Sequence, residues 1–237
     1  MANSGPPIQG ARARAHAEIR AAILRTASAH LASDGAASMS LRAIARELGM
    51  ASSAIYRYFA SREDLLTALI IEAYDDLGAR TEAVLEASVG QAPRQRWVGA
   101  AMAIRTWALD HPHDYALLYG TPIPGYAAPD DTVVPGTRVS LALVSVVRDA
   151  AAAGRSGPPP GSAQVSAATS RSMIPLRDAI DLDVSDDVLL FVLLAWTQLF
   201  GLLTFELFGQ TKGFVDDDEQ LFRDAAATMA TQLGLGD

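Results

Sequence analysis

Apolar residues first recur with a helical period at Ile19, Ile23, Ala27 and Leu31, spaced i, i+4, i+8 and i+12. That stripe predicts a helix over 16–33, and Asp34-Gly35 supplies a stop behind it. In "LRAIAREL" the residues Leu41, Ile44, Ala45 and Leu48 share one face. Ser40 suits the N-cap of that helix, and Gly49 suits the position just past its end. A third short helix runs from about Ser52 to Tyr58 and buries Ile55 and Phe59. Ser61 then opens a fourth, extending to about Ala87, with Glu63 and Asp64 set against its positive N-terminal dipole. The second and third helices are joined by a turn of about three residues around a glycine, the helix-turn-helix pattern.

Helical patterning continues beyond. "PRQRWVGAAMAIRTWALDHP" is a helix closed by His111-Pro112, "DYALLYG" a short one, and "TPIPGYAAPDD" a proline-rich loop. "TRVSLALVSVVRDAAAAG" is again helical, whereas "GRSGPPPGSAQ", about 154–164, reads as a flexible loop. Two helices with acids at their starts finish the chain, "SDDVLLFVLLAWTQLFGLLTFELFG" and "DDDEQLFRDAAATMATQL". Period-2 alternation and internal repeats are absent from the pattern. The expected fold is all-α: a disordered tail over 1–11, a three-helix helix-turn-helix domain over 12–60, and a larger helical ligand-binding and dimerisation domain over 61–237.

Val188 to Phe205 carries no charge over a length that could span a membrane. Its flanks argue otherwise. Asp186-Asp187 and Glu206 border it, with no adjacent Lys or Arg to anchor a span. Thr197, Gly201 and Thr204 form a small, weakly polar strip, and Gln198 sits mid-helix. The expected role is a buried helix, one face on the domain core and the other on a second subunit.

The 237 residues include no cysteine, which excludes disulfides and thiolate metal sites. The first ten residues, "MANSGPPIQG", lack the apolar core of a signal peptide, so a cytoplasmic protein is expected. The net charge of −8 conceals an asymmetry. Residues 1–66 carry eight arginines against five acids; the rest carries eleven basic residues against 22 acids. A polyanionic partner therefore belongs to the N-terminal quarter.

There the third helix fits DNA. A recognition helix enters the major groove tip first, so its tip must be slim. Ser52, Ser53 and Ala54 are slim, Arg57 has the forked reach for guanine or phosphate, and Tyr56 and Tyr58 offer hydroxyls. Taken alone, either tyrosine would more often be a half-buried packing residue. Arg62, in the first turn of the next helix, opposes the dipole but can meet a phosphate, or else is a solvated charge.

The segment "SLRAIARELGMASSAIYRYFASREDLL" resembles the DNA-binding domain of the TetR family of bacterial transcriptional regulators, over about residues 12–66. "WALDHPHDYALLYGTPIPGYAAP" and "AWTQLFGLLTFELFG" further resemble the WHG-type C-terminal ligand domain of some members. The resemblance implies a homodimer on a palindromic double-stranded DNA operator, released by a small molecule in the C-terminal domain. By position it implies base contacts from Arg42, Ser52, Ser53, Ala54 and Arg57, and phosphate contacts from Ser40, Tyr56, Tyr58 and Arg62. Two positions depart from the family pattern. Ala51 stands where many members carry a capping Ser, and Arg62 replaces the usual Lys.

For the ligand, the residues in the corresponding region are Met102, Arg105, Trp107, Tyr115, Tyr119, Tyr126 and Trp196, any one of which, taken singly, is more often core. A mostly apolar lining suits a largely apolar or aromatic ligand. His111, His113 and Asp114 lack the further ligands a metal needs, and no cofactor motif occurs. The expected function is a repressor released by that ligand. The rivals are an activator or ligand-independent repressor, and a helical enzyme with a vestigial helix-turn-helix. No nucleophile-base pair supports the enzyme.

Overall fold

The computed structural model describes residues 8–155, 157 and 164–236. It is all-α as expected: among the described residues there are eleven α-helices and no strand. They are α1 (Ile8–Asp34), α2 (Leu41–Glu47), α3 (Ser52–Ile55), α4 (Arg62–Ala87), α5 (Pro93–Asp110), α6 (Pro112–Tyr119), α7 (Val133–Ala152), α8 (Ala167–Ser172), α9 (Ile174–Ile180), α10 (Asp186–Leu207) and α11 (Asp218–Gln232). Most of the 154–164 loop lies outside the described residues, as does the tail over 1–7. Residues 8–11 of the expected tail are the first turn of α1 instead.

The chain divides into two compact units. The first takes the described residues up to Ala73 together with His113–Thr132. Its core is Ile23, Leu24, Ala27 and Leu31 of α1, Leu41, Ile44 and Ala45 of α2, Ile55 and Phe59, and Leu65, Leu66 and Leu69 of α4. Burying these apolar side chains is what fixes the short helices, which would be marginal alone. Ile19, the first member of the predicted stripe, is exposed. Every residue from Gly10 to Arg20 is exposed, so that part of α1 extends past this core.

Caps set the helix ends. Ser40 Oγ accepts from the Ala43 N–H at 3.5 Å, and Ser61 Oγ from the Asp64 N–H at 3.0 Å. Gly49 closes α2 at φ +65°, a left-handed conformation that costs glycine little. α3 begins at Ala51 without a side-chain cap.

The second unit takes Tyr74–Pro112 and the described residues from Val133 onward. Here α5 packs on α7, α10 and α11. Ala100, Ala101 and Ala108 of α5 and Ala226 and Ala230 of α11 are fully buried, and side chains this small let two helices approach closely. Gly78 serves the same purpose on α4: a Cβ there would lie 2.9 Å from Arg138 Cβ. Arg138 passes over it to bond Glu82 at 2.6 and 3.0 Å and Asp75 at 2.6 Å. Those carboxylates, Glu82 first, hold its guanidinium pKa above the ordinary value.

α7 starts four residues before the predicted "TRVSLAL" helix. α8 and α9 were absent from the sequence expectation. Ser166 caps α8 and Pro175 sits in the first turn of α9, where a missing N–H costs nothing. α10 is the one described helix long and apolar enough to cross a membrane. Its Leu189, Ala195, Leu199 and Leu203 are core of this unit, while Leu194, Trp196 and Phe205 remain exposed.

Candidate nucleic-acid interface and ligand cavity

In the first unit α2 and α3 pack together across the Gly49 turn. Ile55 and Phe59 seat α3 in the core, which leaves Ser52, Ser53, Tyr56 and Arg57 exposed and Ala54 half-buried. Arg42, on α2, is also exposed. Ser40, Arg42, Tyr56 and Arg62 line a single shallow surface depression. Four of the nine residues expected at DNA are thereby brought together, beside the exposed tip of α3.

Ser40 is the N-cap of α2, and two more of the nine are engaged within the chain. Tyr58 is half-buried, its ring 4.6 Å from that of His16, and it packs against the core. The Arg62 guanidinium donates to the Ala36 carbonyl at 2.8 Å and to that of Ala37 at 3.4 Å. Its other terminal nitrogen lies 3.6 Å from Glu63. Arg62 thus ties the 3-10 turn Ala36–Ser38 to the start of α4, a turn that leads directly to Ser40 and Arg42. Among nearby acids, Glu47 pairs with His30 at 2.7 Å.

The residues expected at the ligand are divided between the two units. Tyr115, Tyr119 and Tyr126 belong to the first unit, and Met102, Arg105, Trp107 and Trp196 to the second. Tyr115 is fully buried with its ring 5.1 Å from Tyr119, and the Tyr126 hydroxyl bonds Thr67 at 2.9 Å. Trp107 is buried, donates to Asp76 at 2.7 Å and stacks on His111. Arg105 forks onto Glu206 at 2.6 and 2.9 Å, clasping α5 to α10. Met102 borders a shallow polar depression with Arg94 and Arg223.

A cavity of about 250 Å³ does exist in the second unit, between α5, α7, α9 and α10. Trp97 of α5, Ser140, Leu143, Val144 and Val147 of α7, Leu176 and Ile180 of α9, and Val192, Leu193 and Trp196 of α10 are among its walls. Of the seven expected residues only Trp196 lines it. Trp97 was missed, ten positions before Trp107, and so was the wall supplied by α9.

Residues 23–69 match the family described as bacterial regulatory proteins, tetR family, and residues 97–229 match the family described as tetracyclin repressor-like, C-terminal domain. The chain is 38% identical over 208 residues to HTH-type transcriptional regulators of Mycobacterium tuberculosis and Mycobacterium bovis, spanning 85% of this chain and 86% of theirs. The crystal structure described as a regulatory protein, SCO4313, aligns at TM-score 0.75 and 33% identity, over 96% of this chain and 100% of that one. A Rhodococcus sp. RHA1 protein of unknown function aligns at TM-score 0.68 and 27% identity, over 91% of this chain and 95% of that one.

Proposed function

The chain belongs to the TetR family of HTH-type bacterial transcriptional regulators, which are not enzymes, and on that premise we propose that it is a ligand-released repressor acting as a homodimer on a palindromic operator in the cytoplasm. The observation that carries the DNA half is the tip of α3. Ser52, Ser53 and Arg57 are exposed while Ile55 and Phe59 hold the helix to the core. Arg57 and Arg42 read base edges, with Ser52, Ser53 and Ala54 slim enough to admit the groove wall. Ser40 and Tyr56 meet phosphates. Tyr58 and Arg62 act from behind, as packing and positioning residues.

The helix-turn-helix domain over 12–60 and the ligand and dimer domain over 61–237 then divide the work. The closing helices form the dimer, supported by the exposed strip around Gly201 on α10, where a Cβ would meet nothing. The C-terminal part is of the WHG type. α4 contributes residues to both compact units, so a ligand that shifts it acts on the DNA heads. A hundredfold loss of DNA affinity requires the ligand to prefer the released state by about 2.7 kcal/mol.

The test is selection of an operator from random duplexes, followed by Arg57→Ala. The expected cost is ~1–3 kcal/mol of binding, with specificity relaxed at one base position. Unchanged affinity and an unchanged preferred sequence remove Arg57 from the reading surface.

A further inference from the structure

We infer that the cavity between α5, α7, α9 and α10 takes an uncharged, largely apolar molecule bearing a hydrogen-bond acceptor, which the Trp97 indole N–H receives. The inference rests on the ligand-released reading above and names the chemistry of its ligand.

Charge is decided by what the walls lack. Among the described residues no Asp, Glu, Lys, Arg or His lines the cavity, and an ion buried against aliphatic side chains without a partner is strongly disfavoured. Size follows from the volume: about 250 Å³ holds roughly ten to fifteen non-hydrogen atoms at interior packing density. A mono- or bicyclic molecule fills it.

The acceptor follows from Trp97. Its side chain is 2% exposed, and its Nε1–H has no hydrogen-bond partner. The other buried indole is treated differently: Trp107 Nε1–H is satisfied by Asp76 at 2.7 Å. A buried donor left unmade is costly and uncommon in a native structure. Trp97 forms a wall of the cavity, which puts its unpartnered ring beside an occupant. Water is a poor substitute there. It needs two to four polar partners, and the described walls offer only two hydroxyls, Ser140 and Thr137, of which Thr137 already donates to the Val134 carbonyl.

Three probes of one shape separate the terms: 1-acetonaphthone with a carbonyl acceptor, 1-ethylnaphthalene with none, and the 1-naphthoate anion. Titration calorimetry on the full chain at neutral pH should show the ketone binding about three- to tenfold more tightly than the hydrocarbon, the yield of one net hydrogen bond, and no binding of the anion. Trp97→Phe should abolish the ketone's advantage and keep the hydrocarbon. Ala179→Trp, at an exposed position of the lining, should block both without disturbing the core. The inference is overturned if none of the probes binds, if the anion binds as well as the ketone, if the ketone's advantage survives Trp97→Phe, or if Ala179→Trp leaves ketone binding intact. Operator affinity is read in parallel. Ketone binding by this pattern with unchanged operator affinity upholds the cavity chemistry and refutes release by ligand.

Discussion

Replacing Arg62 by Ala separates two ways in which an arginine can serve DNA binding. In the structure its guanidinium donates to the Ala36 and Ala37 carbonyls at 2.8 and 3.4 Å, and the side chain is 24% exposed. A hydrogen bond from a charged donor contributes ~1.5–3 kcal/mol when buried. Exposure and the long second bond reduce that, to about 1–2 kcal/mol for the site. At about 2–4 °C per kcal/mol for a chain of this size, the melting temperature should fall by roughly 2–8 °C. Operator affinity should fall as well, because the Ala36–Ser38 turn that presents Ser40 and Arg42 loses its tether. The salt dependence carries the decision. A side chain that neutralises one phosphate adds about 0.9 to the slope of log K against log salt, and its removal takes that amount away. Removing a positioning residue leaves the slope as it was. The assay is operator binding by fluorescence anisotropy with labelled duplex from low to moderate salt, beside thermal denaturation of the same preparations. A slope reduced by about a unit or more, with melting unchanged, would refute the positioning role and return Arg62 to the phosphate backbone.

Breaking the Arg105–Glu206 pair, both side chains 9% exposed, should cost ~3–5 kcal/mol in Arg105→Met or Glu206→Leu alone and less in the double variant; strictly additive urea-denaturation losses would show that the two do not interact. Ala51→Ser supplies the cap that α3 lacks and should raise stability by ~0.5–1 kcal/mol. No change in the midpoint would mean that the α3 N-terminus is already satisfied by another group. Gly201→Arg meets no neighbour within its own chain, so it should leave the fold intact and convert dimers to monomers in light scattering; a normal dimer excludes this face from the interface.

How much was legible in the sequence depended on how each element earns its stability. α1, α2, α4, α5 and α10 carry long apolar faces or strong caps, and their periodicity located the body of each helix. α8 and α9 are six and seven residues long. Two turns hold too little pattern to rise above a proline- and serine-rich surrounding; α8 buries no residue and rests on its Ser166 cap, while α9 buries Ile180. On the DNA side the motif spacing fixed which residues reach the surface, but not that Arg62 turns inward, since its acceptors lie about 25 positions earlier in the chain. On the ligand side, aromatic residues were chosen by kind and position. Which helix face looks into a cavity is set by how the helices pack, so Tyr115 and Tyr126 went to the first unit while aliphatic residues of α7 and α9 lined the space.

The distribution of tryptophan has an optical consequence. Trp97, Trp107 and Trp196 all lie in the second compact unit, and the first has none. Excited at the red edge, where tyrosine no longer absorbs, the protein reports only on its second unit. The three indoles also differ in setting. Trp107 is buried and bonded to a carboxylate, Trp97 is buried and unbonded, and Trp196 is 38% exposed with its ring 5.7 Å from Phe200. Their emission should therefore spread from blue to red. Trp97 and Trp196 both line the cavity, so an occupant should change the emission at both ends, whereas a change at the red end alone marks the outer face of α10. DNA added without a label can alter this spectrum only by a change that has travelled along the chain from a spectrally silent head, which makes the unmodified protein its own recorder of coupling.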